Sequence, residues 1–257
     1  MLDPALYIPP NKSLVLDGVT KRFGSVIAVD RVSLMTEYRE FLAVVGPTGC
    51  GKTTLLRLIA GLERANDGHI YIHGQCVDRE RPANRRVRMV FQDNALWPHM
   101  RVFDQDRYSN LSFSMKIRKH FRKTIEDRVN AIAGRLGIGK NLYRRKPDQL
   151  SEGQKQMVGI GRAMTIEPTI FLMDEPLSNV DPQNRLSLRR ELKDYHIQTG
   201  ATTIYVTHNL PEAFSLADRV AMMQEGRIIQ LDSPSKIRSN PTNQFVKDFL
   251  RCSEMSG

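Results

Sequence analysis

The sequence predicts an α/β fold with a β-rich start, a helical middle section and a mostly parallel sheet. Three observations lead to this prediction. Short β-rich runs with turn punctuation fill roughly the first 75 residues. Apolar residues then recur at helical spacing in the middle of the chain. In the last third, two buried-type strands are separated by one helix, a succession typical of parallel pairing.

The β-rich start is carried by three runs of β-branched and apolar residues. They are LVLDGV at residues 14–19, VIAV at 26–29, and GHIYIHG at 68–74, in which Ile70 and Ile72 alternate with other residues between two glycines. These runs predict strands joined by turns.

The middle of the chain predicts helices from about residue 93 to residue 164. Ile125, Val129, Ile132 and Leu136 fall at helical spacing, and the positions between them are mostly polar. The basic stretch at residues 116–128 is most simply a solvated helix face.

Strand and helix signals alternate in the last third. TIFLM (169–173) and TTIYVTH (202–208) are typical of buried strands. The helix between them has Asp181 as its N-cap, Pro182 at its first position and an end before Gly200. The chain then returns to β character, with a hairpin turn at Glu225 and Gly226.

Composition limits the class of protein. With 257 residues, 40% of them apolar, the chain is long enough to bury a core, and disorder, collagen and coiled coil are excluded. No apolar run approaches the roughly 20 residues of a membrane-spanning helix, and the first residues lack the pattern of a signal peptide. Three cysteines without CxxC spacing indicate neither a disulfide framework nor a zinc site, which favours a reducing cytosol. The net charge of +10 favours an anionic partner such as nucleotide, nucleic acid or a lipid surface, although a solvated basic surface explains it equally well.

A phosphate loop is predicted at GPTGCGKTT, residues 46–54, which follows the apolar run FLAVV and precedes the helix-like LLRLIAG. It fits G-x-x-x-x-G-K-[ST] in the strand, loop, helix context that this motif requires. Glycines let backbone N–H groups converge on a phosphate, the lysine reaches the β and γ oxygens, and the hydroxyl after it, on Thr53, ligates Mg²⁺. The sequence therefore predicts a P-loop NTPase core that binds ATP and Mg²⁺ through Gly46, Pro47, Thr48, Gly49, Cys50, Gly51, Lys52, Thr53 and Thr54.

Cys50 lies inside this loop, where helix-end amides are expected to lower the pKa of a thiol. A small residue that merely fits is the simpler explanation. If the thiol is reactive, an alkylating reagent blocks ATP hydrolysis and MgATP slows the reaction.

A second motif, TIFLMDEP, places Asp174 and Glu175 at the end of an apolar strand. Beside a phosphate loop, Asp174 would hold the hydration shell of Mg²⁺, and Glu175 would polarise a water for attack on the γ-phosphorus. An acidic turn closed by Pro176 would be the explanation if this motif stood alone.

LSEGQ, at residues 150–154, is the third motif. By itself, Ser151 with Gln154 three residues later is a capping box at the start of a helix. Its position shortly before the acidic strand end makes the combination more specific.

These motifs occur in one order with Gln92 in VFQDNALWPHM, SNVD at residues 178–181 and His208 in YVTH. The arrangement resembles the nucleotide-binding subunit of ATP-binding cassette (ABC) transporters over nearly the whole chain. The resemblance implies a P-loop NTPase core with an N-terminal antiparallel β subdomain and an inserted helical subdomain. The cassette would span residues 12–250, with its helical subdomain at about 93–164. A short tail at 251–257 follows, and no C-terminal regulatory domain is expected. The motif wording is most similar to importer subunits for sugars and glycerol-phosphate, with relatives for polyamines, sulfate and ferric iron.

The resemblance implies a role for each motif residue outside the phosphate loop. Phe23 would stack on adenine, although it is otherwise an exposed strand-end aromatic. Gln92 would sense the γ-phosphate and Mg²⁺, and His208 would hold the γ-phosphate in the transition state. The catalytic residues are thus Glu175, His208 and Gln92, and the metal is held by Thr53, Gln92 and Asp174.

The resemblance also implies that two chains close head to tail over two ATP molecules. Asp181 would contact the partner, although an N-cap role explains it equally well. Trp97 either borders the groove for the permease's coupling helix or is a core tryptophan. The signature residues that would contact the ATP of the opposite subunit are Leu150, Ser151, Glu152, Gly153 and Gln154, and the D-loop residues are Ser178, Asn179, Val180 and Asp181.

Three departures from the family pattern affect these expectations. Many relatives continue into a regulatory β domain, whereas this sequence stops soon after FVKDFL, so regulation through such a domain is not carried over. Glu152 replaces the first glycine of the usual LSGGQ and places a carboxylate near a polyphosphate, which should weaken closure unless the side chain turns away. Residues 105–109 are an insertion that shifts the helical subdomain and affects the expected membrane-protein contacts.

The expected function is ATP hydrolysis by a homodimer or a pair of paralogues, at the cytoplasmic face of the inner membrane, to drive uptake through separate permease subunits. A solute-binding protein would take part indirectly and nucleic acid would not. The ATPase of an exporter is the first alternative, although DEPLS is importer-like where many exporter ATPases read DEPTG. A soluble ABC protein acting on DNA or ribosomes is less favoured, because the chain has one cassette and no heptads. The transported substrate is not encoded in these motifs.

Overall fold

The computed structural model describes residues 11–255, with side chains through residue 253. The described residues form two compact units. Within the described residues, the first unit draws on residues 11–87, 169–172 and 200–255, and the second on Arg88–Pro168 and Met173–Thr199. Each unit is therefore assembled from separated stretches of chain.

The smaller sheet is antiparallel and belongs to the first unit. Tyr71 and Met35 both lie opposite Val15, so the first strand is paired on both sides. This sheet confirms the predicted antiparallel β subdomain. Its strands, in the order β2-β1-β4-β5, are β1 (Lys12–Phe23), β2 (Val26–Glu37), β4 (Asp67–Ile72) and β5 (Gln75–Cys76).

The larger sheet has the strand order β10-β9-β3-β8-β7-β6. Its members are β3 (Phe41–Val45), β6 (Val87–Val90), β7 (Ile170–Asp174), β8 (Thr202–Thr207), β9 (Arg219–Gln224) and β10 (Arg227–Asp232). β3 runs parallel to β8 and β9, and every residue of β3 is buried, as is typical of a strand covered on both faces. β9 and β10 form the predicted hairpin, with φ angles of 46° at Glu225 and 78° at Gly226. The α/β prediction is confirmed.

The predicted helix ends are confirmed most clearly where the sequence has a proline at the start and a glycine after the end. The helix predicted between Asp181 and Gly200 runs over Pro182–Thr199. In the part of the chain that the structure describes, no helix combines the length and apolarity needed to cross a bilayer. Over residues 11–255 the α-helices are α1 (Lys52–Ala60), α2 (Phe113–Ile117), α3 (Arg122–Arg135), α4 (Glu152–Met164), α5 (Pro182–Thr199), α6 (Leu210–Leu216), α7 (Pro234–Ser239) and α8 (Gln244–Met255).

Helical structure in the second unit begins later than the expected residue 93, with α2 at Phe113. The preceding loop is organised by the fully buried Asn110, whose amide nitrogen donates to the carbonyl oxygens of Trp97, Met100 and Arg101. Its amide oxygen accepts a bond from the Trp97 N–H at 2.9 Å. One polar side chain thus supplies the hydrogen bonds that helical turns would otherwise make.

The basic stretch at residues 116–128 is mostly exposed, as expected, whereas Lys116 at its start is half-buried. Its ammonium donates to the carbonyl oxygens of Asp104, Gln105 and Arg107. The inserted residues 105–109 are therefore tied to α2 rather than projecting freely.

A core cluster of the first unit lies where the larger sheet meets its C-terminal helices. Phe245 and Phe249 of α8 pack against it. The apolar side of α8 is thus anchored on the larger sheet. The fully buried members of this cluster are Ala43, Val45, Leu210, Ala213, Val220, Met222, Ile237 and Val246.

Candidate active site

The phosphate loop joins β3 to α1 in the first unit. β3 is fixed between β8 and β9, and α1 begins at Lys52 after Gly51, whose φ is 107°. Residues 47–49 are exposed, whereas Gly46 and Cys50 are buried. The strand, loop, helix context that the motif requires is therefore present, with the middle of the loop open to solvent.

Two glycines of this loop are required by backbone packing. A Cβ on Gly46 would lie 2.1 Å from the carbonyl oxygen of Met223, and one on Gly51 would lie 2.1 Å from that of Ala28. Both distances are far inside van der Waals contact, so a side chain at either position would displace the backbone. Gly49 differs, since nothing lies within 4 Å of its Cβ position and only its φ of 82° favours glycine.

The Lys52 ammonium is folded onto its own loop. It donates to the carbonyl oxygens of Gly46 and Pro47, both at 2.8 Å, and the residue is only 5% exposed. A buried ammonium requires such acceptors. With the N–H groups at the start of α1, Lys52 forms a set made of donors alone, which fits the oxygens of a polyphosphate.

The expectation of an acidic thiol at Cys50 is wrong. Burial raises the pKa of the Cys50 thiol, and the Lys52 charge, with Nζ 3.7 Å from Sγ, opposes this only in part. The desolvation of a thiolate outweighs the effect of the helix-end amides. Cys50 is thus the small, fitting residue of the simpler explanation.

His208 follows β8 at the same sheet edge as the phosphate loop. β3 and β8 are parallel, and Val45 pairs with Thr207, so Gly46 and His208 each come one residue after their strands. The His208 side chain is exposed. Asn209 then caps α6 by accepting a bond from the Glu212 N–H at 2.8 Å. His208 and the phosphate loop therefore lie at the same sheet edge, and the γ-phosphate role of His208 stays a prediction.

Phe23 ends β1 beside the β1–β2 turn and is 48% exposed. The Lys21 ammonium lies 4.7 Å from its ring centroid, a cation–π contact. Across the turn, β2 leads to Ala28, whose carbonyl oxygen faces Gly51 of the phosphate loop. An exposed aromatic ring on this strand pair is available to adenine, and the simpler strand-end explanation stays open.

Asp174 and Glu175 occupy different surroundings in the second unit. Asp174 ends β7 and is 2% exposed, whereas Glu175 is half-buried. Glu175 has a φ of 45°, a left-handed conformation that is strained for a residue with a side chain. Its carbonyl oxygen accepts bonds from the N–H and hydroxyl of Ser178, at 3.2 and 2.9 Å. The D-loop thus holds the turn at the predicted base.

The D-loop is fixed from α5 by a residue that the sequence analysis missed. Arg185 donates to the carbonyl oxygens of Val180 and Ser178, at 2.9 and 3.2 Å. Asn179 and Asp181, on either side of Val180, are exposed. An arginine in the first turn of the helix after the loop was the available signal, because its side chain reaches back to the preceding carbonyl groups.

The signature begins α4 with the predicted capping box. The Ser151 hydroxyl accepts a bond from the Gln154 N–H at 3.3 Å, and the Gln154 side chain accepts one from the Ser151 N–H at 3.1 Å. A Cβ on Gly153 would lie 3.5 Å from the carbonyl oxygen of Asn179, so the signature and the D-loop are neighbours. The start of the helix carries positive potential on an exposed surface.

A cavity of about 470 Å³ lies beside this helix start, between the signature, the D-loop and α5. Its lining includes Ser151, Gly153, Gln154, Val180, Asp181 and Asn184. Signature and D-loop residues are therefore brought together around one open volume.

Glu152 is turned along the helix. Its carboxylate pairs with the Lys155 ammonium at 2.6 Å, and its side chain is 65% exposed. An exposed pair of this kind contributes roughly 0.2–1 kcal/mol, enough to favour this orientation and to offset part of the negative charge.

Gln92 lies after β6 with its side chain exposed, and the loop behind it is tied to α4. Asn94 and Ala95 have φ angles of 62° and 42°. Arg162 of α4 donates to their carbonyl oxygens at 3.3 and 2.5 Å, and its guanidinium lies 4.8 Å from the Trp97 ring. Burial lowers the pKa of Arg162 to about 10, so it remains charged at neutral pH.

The sequence analysis missed Arg162 as well. The available signal was a charged residue in the run GIGRAM, whose other residues are small or apolar. Trp97 is half-buried between this guanidinium and Phe113, whose ring centroid is 4.2 Å away. It is therefore part of a stack that shapes the loop.

Comparison with known proteins identifies relatives of this chain. A family model described as ABC transporter matches residues 29–178. The xylose/arabinose import ATP-binding protein XacJ of Haloferax volcanii is 46% identical over 236 residues, which cover 91% of this chain and 60% of that protein. The trehalose/maltose import ATP-binding protein MalK of Thermococcus litoralis is 47% identical over 238 residues, which cover 90% of this chain and 62% of that protein. This chain thus spans about three fifths of the length of these relatives.

A solved structure supports the fold. The dimeric structure of MJ0796, a bacterial ABC transporter cassette, superposes with a TM-score of 0.79 and 25% identity, covering 86% of this chain and 98% of that one. A core shared at this level confirms the predicted α/β architecture with its antiparallel β subdomain.

Proposed function

Because this chain belongs to the ABC transporter family, we propose that it is the ATP-hydrolysing subunit of an importer, driving solute uptake through separate permease subunits. The observation that carries the proposal is the capped, exposed start of α4 beside an open cavity shared with the D-loop. A phosphate loop alone occurs in many nucleotide-binding proteins. A second anion-favouring helix start, on another unit of the same chain, supports a role for two chains.

Nucleotide binding is assigned to residues 46–54 and Phe23. The N–H groups at the start of α1 donate to phosphate oxygens, and Lys52 exchanges its bonds to the Gly46 and Pro47 carbonyl oxygens for bonds to the β and γ oxygens. Phe23 stacks on adenine.

Hydrolysis is assigned to the residues at the strand ends. Glu175 accepts the proton of the attacking water, and His208 donates a hydrogen bond to the γ-phosphate. Thr53, Gln92 and Asp174 would hold Mg²⁺, which would neutralise charge on the phosphate oxygens. Asp174 is buried, whereas Glu175 is half-buried on a strained turn, which supports assigning the metal to the first and the base to the second.

Coupling is assigned to a dimer of cassettes. Ser151 and the start of α4 bind the terminal phosphate held by the second chain, and the D-loop contacts that chain. Closure excludes water from the reacting groups, and loss of the γ-phosphate after hydrolysis removes the shared ligand. Opening and closing would then move the permease subunits, at the cytoplasmic face of the membrane. The names of the relatives, which describe import ATP-binding proteins, support uptake over export.

The dimer is tested with Glu175→Gln. This variant should bind ATP as the wild type does, turn over roughly 10²-fold more slowly or worse, and become dimeric in MgATP, because the bound γ-phosphate persists. Light scattering measures the mass of the particle in solution. Release of phosphate measures the turnover. Lys52→Ala, as a control, should stay monomeric. A Glu175→Gln variant that hydrolyses ATP at the wild-type rate, or that stays monomeric in saturating MgATP, contradicts the proposal.

The direction of transport is tested by identifying the proteins that copurify with this chain from membranes. An importer subunit brings permease subunits together with a solute-binding protein. Copurification with a permease alone supports an exporter, and copurification with ribosomes supports the soluble alternative.

A further inference from the structure

The hairpin of β4 and β5 carries three side chains of metal-binding type on one face. Tyr71 pairs with Cys76 across this hairpin. Continued by two residues, the same register sets His69 opposite Asp78. Because alternate residues of a strand share a face, His69, Cys76 and Asp78 project to one side. The turn between the strands, His73 and Gly74, has φ angles of 49° and 75°, as a tight two-residue turn requires.

The three side chains already contact one another. His69 Nδ1 lies 2.7 Å from Asp78 Oδ2, and the Cys76 thiol donates to the same oxygen at 3.3 Å. The three ligand atoms all lie within 4.8 Å of one another. Asp78 Oδ1 accepts a bond from the Ile70 N–H at 2.9 Å, which keeps Oδ2 turned toward the other two groups. Such a supporting bond is what holds a carboxylate ligand in position.

We propose that His69, Cys76 and Asp78 form a three-ligand site for Zn²⁺, with the fourth position open to water. This site is separate from the proposed nucleotide chemistry. Thiolate and imidazole favour zinc and similar transition metals over Mg²⁺ or Ca²⁺, which prefer oxygen ligands. On binding, the thiol proton passes to solvent and the imidazole coordinates in its neutral form.

The distances fit a tetrahedral ion after small side-chain movements. With the usual bond lengths to zinc, ligand atoms lie about 3.3 to 3.6 Å apart. The Cys76–Asp78 distance is already 3.3 Å, and the His69–Asp78 distance of 2.7 Å would open by about 0.6 Å. The His69 and Asp78 side chains are 43% and 30% exposed, so an ion and a water ligand have access from solvent.

The spacing explains why the sequence analysis found no zinc site. It relied on CxxC pairs, which bring two thiolates together within one turn. Here the strand register brings together residues that are separated along the chain. Positive charge from Arg79 and Arg85, both near enough to act on this cluster, opposes cation binding. We therefore expect weaker binding than at a structural site with four ligands.

The test is a titration of the nucleotide-free protein with Co²⁺, the spectroscopic substitute for zinc. The wild type should develop thiolate-to-cobalt charge-transfer absorption that saturates at one ion per chain and is abolished by Zn²⁺. Cys76→Ser should lose the absorption. Cys252→Ser, which removes an exposed cysteine elsewhere, should retain it. Zn²⁺ should also raise the melting temperature of the wild type and of Cys252→Ser, but not that of Cys76→Ser.

Asp78→Asn is the second test variant if Cys76→Ser fails to fold. It should fold, because the amide oxygen of the new side chain can still accept a hydrogen bond from the Ile70 N–H. It should weaken Co²⁺ binding by about tenfold or more. Absence of thiolate absorption in the wild type at excess Co²⁺ overturns the proposal, and so does absorption that persists unchanged in Cys76→Ser and Asp78→Asn. Since no nucleotide is present, these outcomes are independent of whether the chain hydrolyses ATP.

Discussion

The phosphate loop and the start of α4 are both predicted to bind phosphate, but they are stabilised in different ways. The loop is fixed by its own surroundings: Gly46 and Gly51 press against backbone carbonyl groups, and Lys52 is buried on two acceptors. The start of α4 is exposed and is held mainly by the capping box of Ser151 and Gln154. The loop is therefore complete within one chain, whereas the helix start has an open side. Substitutions in the first should affect folding and binding, whereas substitutions of residues outside the capping box in the second should affect mainly activity.

The largest effect is expected from Lys52→Ala. The ammonium is the charged side-chain donor of the loop, and charged hydrogen bonds of about 1.5–3 kcal/mol each would be lost from a bound triphosphate. Affinity for a fluorescent ATP analogue should fall by about 10²-fold or more. Arg57→Ala, at an exposed position of the same helix, is the matched control. Equal affinity in the two variants would mean that Lys52 does not bind phosphate.

Next in size is the difference between two alanine substitutions in the loop. Gly51→Ala combines a left-handed conformation with a steric clash and should lower the free energy of unfolding by about 3 kcal/mol. Gly49→Ala meets only the conformational penalty and should lower it by about 1 kcal/mol. Urea denaturation measures both. A larger loss for Gly49→Ala would contradict the packing described around Gly51.

A smaller effect is expected at the start of α4. Glu152→Gly removes a carboxylate near the helix start and should leave ATPase activity unchanged or raise it by about twofold, with little loss of stability, because an exposed ion pair contributes only about 0.2–1 kcal/mol. Lys155→Ala leaves that carboxylate uncompensated and should lower activity slightly. A large loss of activity in Glu152→Gly would show that the acid has a positive role.

The smallest effect is expected from thiol modification at neutral pH. A maleimide should label the exposed Cys252 first and leave ATPase activity unchanged. Because burial raises the pKa of Cys50, little thiolate is present at neutral pH, and its labelling should keep rising with pH beyond the range of an ordinary thiol. Peptide mass spectrometry of labelled protein distinguishes the two sites. Preferential labelling of Cys50 at pH 7 would contradict the burial argument.

A structural feature could be predicted from the sequence when the residues that determine it lie close together along the chain. The phosphate loop, the capping box at Ser151 and the helix start at Pro182 depend on residues within a few positions of one another, so their geometry is confirmed. The loop before α2 was predicted to be helical because nothing local reveals that Asn110 bonds to three distant carbonyl groups.

The same reason explains the determinants that were missed. Arg162 contacts a loop more than sixty residues earlier in the chain. His69 and Asp78 meet only through strand register. At Cys50, the motif indicated an acidic thiol, whereas the tertiary packing that buries it decides the sign of the shift.

The Arg162 contact gives α4 a contact near each of its ends, the other being the capping box at Ser151. Ser151 is the N-cap of this helix. Arg162, in its last turn, donates hydrogen bonds to the segment just after Gln92. A displacement imposed at either end would therefore be transmitted along the helix axis without requiring any change in its own hydrogen bonds. Because the guanidinium keeps its proton up to about pH 10, this transmission should be insensitive to acidity over the range in which cells live.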